Sequence, residues 1–390
     1  MLRSRDIIAE AEGCAGIRDP ETHLHGGLHA LVASLNGDNR LSAAGEAAAQ
    51  QALVARTVDR LEAIKWVNQH PEIEEEKIEA PVFLTGLPRS GASYFQYLFD
   101  RDPRYRLLRP WEMSMLSSRP GAKPATPPPR GVQERQMRPE EVEGFDALHL
   151  IDSDGSEDCH AFLEQSYAAA GFFNVGDAPS YIDYLLNRMD MTGPYRVHRR
   201  QLQLLQWRTA PRRWVVKYPN HVIAMDAILD VYPDARFAMT HRDPLQTLAA
   251  VALSTLTLRS ARYDPPLDPH RVGKQMMDFM RRHVDRIMAF CTGPHADRVV
   301  HVDYYALVAD PVTRLEAVHG ALGTDLPGDV REAIGGWRRD DPKGRRGSGH
   351  NILEQFGIDV EAAAELFSDY RRHFDIPREK EALLRMGAAA

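Results

Sequence analysis

The stretch "APVFLTGLPRSGASYF" (80–95) limits what this chain can fold into more than any other. "VFLTGL" is a short apolar run of the kind that forms a buried strand. Pro88 and Gly91 then shape a turn, and a helical pattern begins near Ala92. A strand, a tight turn and a helix start bring unpaired backbone N–H groups and the positive end of a helix dipole to one point. Arg89 adds a guanidinium fork that matches a pair of phosphate or sulfate oxygens. The stretch therefore reads as an anion site, with Arg89, Ser90, Gly91, Ala92 and Ser93 as its cradle. The plainer alternative is an ordinary strand–turn–helix with a surface arginine. No lysine follows Gly91, so this is not the G-x-x-x-x-G-K-[ST] triphosphate loop.

The same grammar recurs along the chain. "RRWVVKYP" (212–219), "RFAMTHRDP" (236–244) and "DRVVHVDYYALVADP" (297–311) each contain an apolar run, and each leads into a helical pattern. Short continuous apolar strands separated by helices imply a parallel sheet covered on both faces. The expected class is α/β: a P-loop-like parallel sheet flanked by helices, with an N-terminal helical extension. Residues 1–79 form that extension and 80–390 the α/β domain. In the extension, Leu53, Val54, Val58, Leu61 and Ile64 give one apolar helix face. Ser42 is its expected N-cap, and Pro71 marks its stop. Ligands of such sheets bind beyond the carboxyl ends of the strands, so the residues following each strand are the ones to inspect.

The bulk properties exclude several function classes. A chain of 390 residues is long enough for a large core, and 43% hydrophobic with 26% charged is ordinary for a globular protein. A net charge of −7 argues against a nucleic-acid polycation. No run of about 18 apolar residues suggests a membrane span. The first dozen residues contain acids and no apolar h-region, so no signal peptide is read and a cytoplasmic location is expected. Cys14, Cys159 and Cys291 lie far apart and suggest neither a disulfide framework nor a zinc site. The proline-rich 117–131 segment and "YDPPLDPH" (263–270) read as loops that either touch substrate or merely connect.

Four of these motifs, in their order and spacing, resemble the sulfotransferases. The 80–95 stretch is similar to their 5′-phosphosulfate loop. "RFAMTHRDPLQTLAAVALS" is similar to their 3′-phosphate motif. "WVVKYPNH" and "HVDYYALVADPVTRLEAVHGALG" resemble segments of bacterial and tyrosylprotein-type members. The resemblance runs from about residue 81 to 375. It implies 3′-phosphoadenosine-5′-phosphosulfate as co-substrate, no metal requirement, and an enzyme that moves a sulfuryl group to a hydroxyl or amine of a small molecule or lipid.

The resemblance also implies residue roles. Arg89 to Ser93 cradle the 5′-phosphate. Lys217, ending its strand, stabilises the leaving oxygen. Glu112 or His221 is the base, with His149 a third candidate. Arg242 holds the 3′-phosphate, and Arg345, Arg346 and Gly347 in "KGRRGSGH" close over it. A structural role is the alternative for each: Glu112 in an ion pair with Arg109 or Arg119, His221 as a cap or packing residue. The sequence departs from the family at two donor contacts. Ala92 stands where a threonine is usual, and Ala250 where a serine is usual. One lost hydrogen bond to a charged group is worth roughly 1.5–3 kcal/mol. A repurposed fold, with weak donor binding or sulfation followed by elimination, therefore stays open beside the transferase; a P-loop small-molecule kinase would need the missing lysine. Trp111, the proline-rich loop and the "LQLLQWR" helix are expected to line an apolar acceptor pocket, and the N-terminal helices to pack on the core or on a second subunit.

Overall fold

Continuous apolar runs make strands buried on both faces; all four runs form strands, three of them buried nearly throughout and the edge strand at 299–303 only in part. The computed structural model describes residues 1–38, 40–113, 155–340 and 350–388. His149, Arg119, the 117–131 segment, Arg345, Arg346 and Gly347 lie outside the described residues. Strands β1 (Val82–Gly86), β2 (Tyr105–Arg106), β3 (Arg213–Lys217), β4 (Arg236–His241) and β5 (Val299–Asp303) form one sheet in the order β2-β3-β1-β4-β5. Every neighbouring pair is parallel. The two-residue β2 has no counterpart among the sequence expectations, because so short a segment carries no periodicity.

Alternate residues of each strand feed opposite layers, as the period of two requires. Phe83, Trp214, Val216, Phe237 and Met239 enter one core. Val82, Leu84, Val215, Ala238 and Val302 enter the other. Burying each large apolar side chain contributes about 1.5–3 kcal/mol, which is what holds the helices to both faces.

From β1 the chain passes to one side for β2 and β3, then returns across β1 for β4 and β5. That reversal opens a crevice at the carboxyl end of β1. The register sets Leu84 beside Lys217, Gly86 beside Thr240 and His241 beside Asp303. Three strand ends thus meet around the 87–93 loop.

The N-terminal helices Ser4–Ala15, His25–Gly37 and Ala43–Gln69 pack on this body. The Ser42 side chain accepts from the Gly45 N–H, and the third helix ends just before Pro71. Leu53 and Leu61 share a core cluster with Tyr167 and Leu202, which lie beyond β1 in sequence. Arg60, fully buried, donates to both Asp19 carboxylate oxygens and to the Gln165 carbonyl. Leu202, Leu204, Leu205 and Trp207 of "LQLLQWR" are also buried in that cluster, so this helix builds core and not the wall of an acceptor pocket. Among the described residues no helix is long and apolar enough to cross a membrane.

Candidate active site

The loop after β1 takes its shape from backbone geometry that few residues accept. Gly91 sits at φ +103°, and a Cβ there would drive into the Tyr304 ring. Gly86 sits at φ +139°, with the Thr240 carbonyl oxygen 2.6 Å from where a Cβ would be. Arg89 also has positive φ, 72°, a conformation that costs a non-glycine residue about 1–3 kcal/mol. The helix Ala92–Phe99 starts directly from Gly91. Its first N–H groups therefore face the crevice without intrahelical partners. The Ser90 hydroxyl does not face the crevice. It is fully buried and hydrogen-bonds Thr240 Oγ1 at 2.7 Å, clipping the loop to β4.

Lys217 leaves the end of β3 and reaches this loop. Its Nζ donates to Ser93 Oγ at 3.2 Å and to Asp158 Oδ2 at 3.2 Å. Only 2% of Lys217 is exposed, so a cation is held ready under the loop with one carboxylate beside it. Asp158 also bonds the His160 ring through its other oxygen. Burial pulls the His160 pKa down, but Asp158 and Glu164 outweigh it and hold the ring at about 9. Ser93, Lys217, Asp158 and His160 therefore form one polar chain. Asp158 and His160 had no place among the sequence candidates. The signal was there: "SEDCH" packs four titratable groups against a helix start. The Cys159 N–H donates to the Lys217 carbonyl, which fixes the segment alongside β3.

The two expected bases are each held by other partners. Glu112 is bound by both oxygens to the Arg106 guanidinium, and one oxygen also accepts from the Arg109 N–H at 2.8 Å. Its partner is thus Arg106, and Arg106 in turn lies over the Trp214 ring. His221 is fully buried, with Nε2 3.2 Å from Cys159 Sγ and Nδ1 2.7 Å from the Tyr195 hydroxyl. Burial, with His198 nearby, pushes its pKa well below the usual imidazole range. It stands behind Lys217 in the core and does not face the crevice.

At the end of β4, Arg242 turns toward the same loop. Its Nη1 lies 3.5 Å from the Arg89 carbonyl oxygen, and its guanidinium stacks over the Tyr304 ring at 4.7 Å. The fork itself is occupied by Glu379, at 3.1 and 2.7 Å. Glu379 opens the helix Glu379–Ala388; its backbone N–H donates to Asp243, and the Tyr305 hydroxyl donates to its carboxylate. Burial opposes the Arg242 charge, but the Glu379 bonds raise its pKa above the ordinary value. No sequence signal marks Glu379, since it lies far along the chain in an unremarkable helix. Ala250 lies on the helix Pro244–Ser260, where Thr247 and Ser254 turn their hydroxyls onto the helix backbone. Neither supplies the hydroxyl that Ala250 lacks.

Three strand ends on one anion-shaped loop suit a phosphate or sulfate group, and the family of the chain follows from comparison with known proteins. A sulfotransferase family model matches residues 81–328. The chain belongs to the sulfotransferase family. Sulfotransferases generally take 3′-phosphoadenosine-5′-phosphosulfate as donor, so this sulfotransferase is a transferase of sulfur-containing groups. Its fold is similar to that of sulfotransferase STF9 from Mycobacterium avium, with TM-score 0.86 and 24% identity over 97% of this chain and 98% of that one. Sulfotransferase STF1 from Mycobacterium tuberculosis H37Rv aligns with TM-score 0.77 and 26% identity over 94% and 99%. No curated protein matches the chain.

Proposed function

We propose that this protein moves a sulfuryl group from 3′-phosphoadenosine-5′-phosphosulfate to a hydroxyl or amine of a small molecule or lipid. The observation that carries this reading is Lys217 Nζ at 3.2 Å from Ser93 in the loop that would cradle the 5′-phosphate. There the ammonium meets the bridging oxygen on which charge develops as the bisphosphate leaves. In-line sulfuryl transfer needs little else from the protein beyond positioning and such charge stabilisation. Arg89 and the backbone N–H groups of residues 91–93 hold the 5′-phosphate, and Arg242 takes the 3′-phosphate once Glu379 yields it.

For the acceptor proton, Asp158 fits better than Glu112 or His221. It touches Lys217, so it stands at the reacting end of the donor, and His160 holds its other oxygen in place. Glu112 would first have to leave Arg106, and His221 would have to leave the core. The test is release of adenosine 3′,5′-bisphosphate from the donor across a panel of phenolic, alcoholic and amine acceptors. Turnover that depends on Lys217 and Asp158 supports the reading. Turnover unchanged in both Lys217→Ala and Asp158→Asn defeats it.

The occupied fork of Arg242 favours one second reading: a member of the family that binds the donor weakly or serves another task. Calorimetry with adenosine 3′,5′-bisphosphate separates the two, since absence of binding at millimolar ligand leaves only the second.

A further inference from the structure

Behind Lys217, on the core side of β3, three residues from distant parts of the chain converge. Cys159 precedes the helix His160–Glu164, His198 lies in the helix Thr192–Gln206, and His221 lies in the turn Pro219–Ile223. All three are fully buried. One ligand atom from each lies within 4.8 Å of the other two. Cys159 Sγ and His221 Nε2 are 3.2 Å apart. Ligand atoms in a tetrahedral zinc site stand about 3.5 Å apart, given Zn–N near 2.1 Å and Zn–S near 2.3 Å.

Two further features suit a metal and not an ordinary core. Each histidine has a tyrosine hydroxyl on its Nδ1: Tyr195 on His221 at 2.7 Å and Tyr232 on His198 at 2.8 Å. Metal-bound imidazoles almost always donate their other ring N–H to an oxygen, and with each tyrosine oxygen accepting from Nδ1, Nε2 keeps its lone pair for a metal. Second, His198 Nε2 is buried and has no hydrogen-bond partner among the described residues. A buried ring nitrogen left unpaired costs about 1–3 kcal/mol, so it needs an explanation.

We propose that Cys159 Sγ, His198 Nε2 and His221 Nε2 bind a zinc-class divalent cation that fastens the scaffold of Lys217 and Asp158. The donor set, one thiolate and two imidazoles, is borderline-soft, favours zinc over magnesium or calcium, and fills three of the four positions of a tetrahedral site. Binding releases the Cys159 thiol proton to solvent and leaves the sulfur as thiolate. The cation ties the segment carrying Asp158 to the helix and turn that flank β3. It takes no part in sulfuryl transfer, and the site goes beyond the cysteine spacing, which suggests no zinc site. The inference is independent of the sulfuryl-transfer reading.

The test uses the full chain. Protein purified without chelator is analysed for zinc, then unfolded, stripped and refolded with Co²⁺. We expect about one zinc per chain, and in the cobalt form visible d–d bands with a near-ultraviolet thiolate-to-cobalt band. Cys159→Ser should lose the thiolate band. Tyr232→Phe, which keeps all three ligands, should weaken cobalt affinity roughly 10–100-fold. Folded wild type with under a tenth of an equivalent of zinc and no cobalt bands overturns the proposal. So does a cobalt spectrum unchanged by both Cys159→Ser and His198→Gln. If Cys159→Ser does not fold, the wild-type spectrum and the Tyr232→Phe affinity still decide.

Discussion

The ends of β3 and β4 present a cation to the same loop, yet they hold it differently. Lys217 makes one bond to Asp158 and one to a neutral hydroxyl, each at 3.2 Å. Arg242 is forked onto Glu379 by two bonds, and Tyr305 and Asp243 hold that glutamate in place. The first arrangement keeps a cation poised, because one bond to a single carboxylate is easily traded for an incoming anion. The second fills the fork with an internal carboxylate, which presents two acceptor oxygens as a phosphate would. The lesson is that a charge in the right place on a strand end is not yet a charge available to a ligand. Under the proposed reading, the Lys217 end of the crevice is prepared and the Arg242 end has to be vacated.

The sharpest break of that comparison is Lys217→Ala. Loss of one preorganised charge at the leaving oxygen should lower kcat by about 10²–10³, with a much smaller change in the affinity for adenosine 3′,5′-bisphosphate. Steady-state kinetics beside calorimetry reads both. Asp158→Asn should follow, with kcat down roughly 10²-fold if it takes the acceptor proton, whereas Glu112→Gln should act on stability through Arg106. Thermal melts separate those two effects.

On the other side, Arg242→Ala should weaken bisphosphate binding by roughly tenfold or more, since a hydrogen bond to a charged group is worth about 1.5–3 kcal/mol. Glu379→Gln should do the opposite and tighten the bisphosphate several-fold. If Glu379→Gln weakens binding, the carboxylate is not a rival of the phosphate and the contrast between the two strand ends fails.

The smallest effect is in pH dependence. His160 titrates at about 9 in the folded chain against an ordinary 6.5. Its pKa is raised, so the folded state binds the extra proton. The resulting stability is fully present below pH 6.5 and is lost as pH rises through 9. The side chain is 30% exposed, so solvent screens part of the effect. His160→Gln should flatten the stability profile in that window, and an NMR titration of the ring should show the raised pKa fall in Asp158→Asn. The Arg242 side should stay flat there, because arginine does not titrate in that range.

Local patterns made much of this protein legible. The apolar run before Gly86 had to be a buried strand, and Pro88, Gly91 and the helix start near Ala92 had to make a turn that offers N–H groups. The places of Lys217 at the end of β3 and of Arg242 just after β4 were legible from the strand pattern, and in a parallel sheet ligands bind beyond the strand ends. The cap at Ser42 and the stop at Pro71 likewise depend only on near neighbours. What the sequence could not supply were partners far along the chain. Arg106 took Glu112, Cys159 and Tyr195 took His221, and Glu379 reached Arg242 across 137 positions. A short-range pattern specifies the backbone that carries a charge. Which opposite charge or ring comes to rest against it is decided by packing of elements distant in sequence, and so only by the tertiary structure.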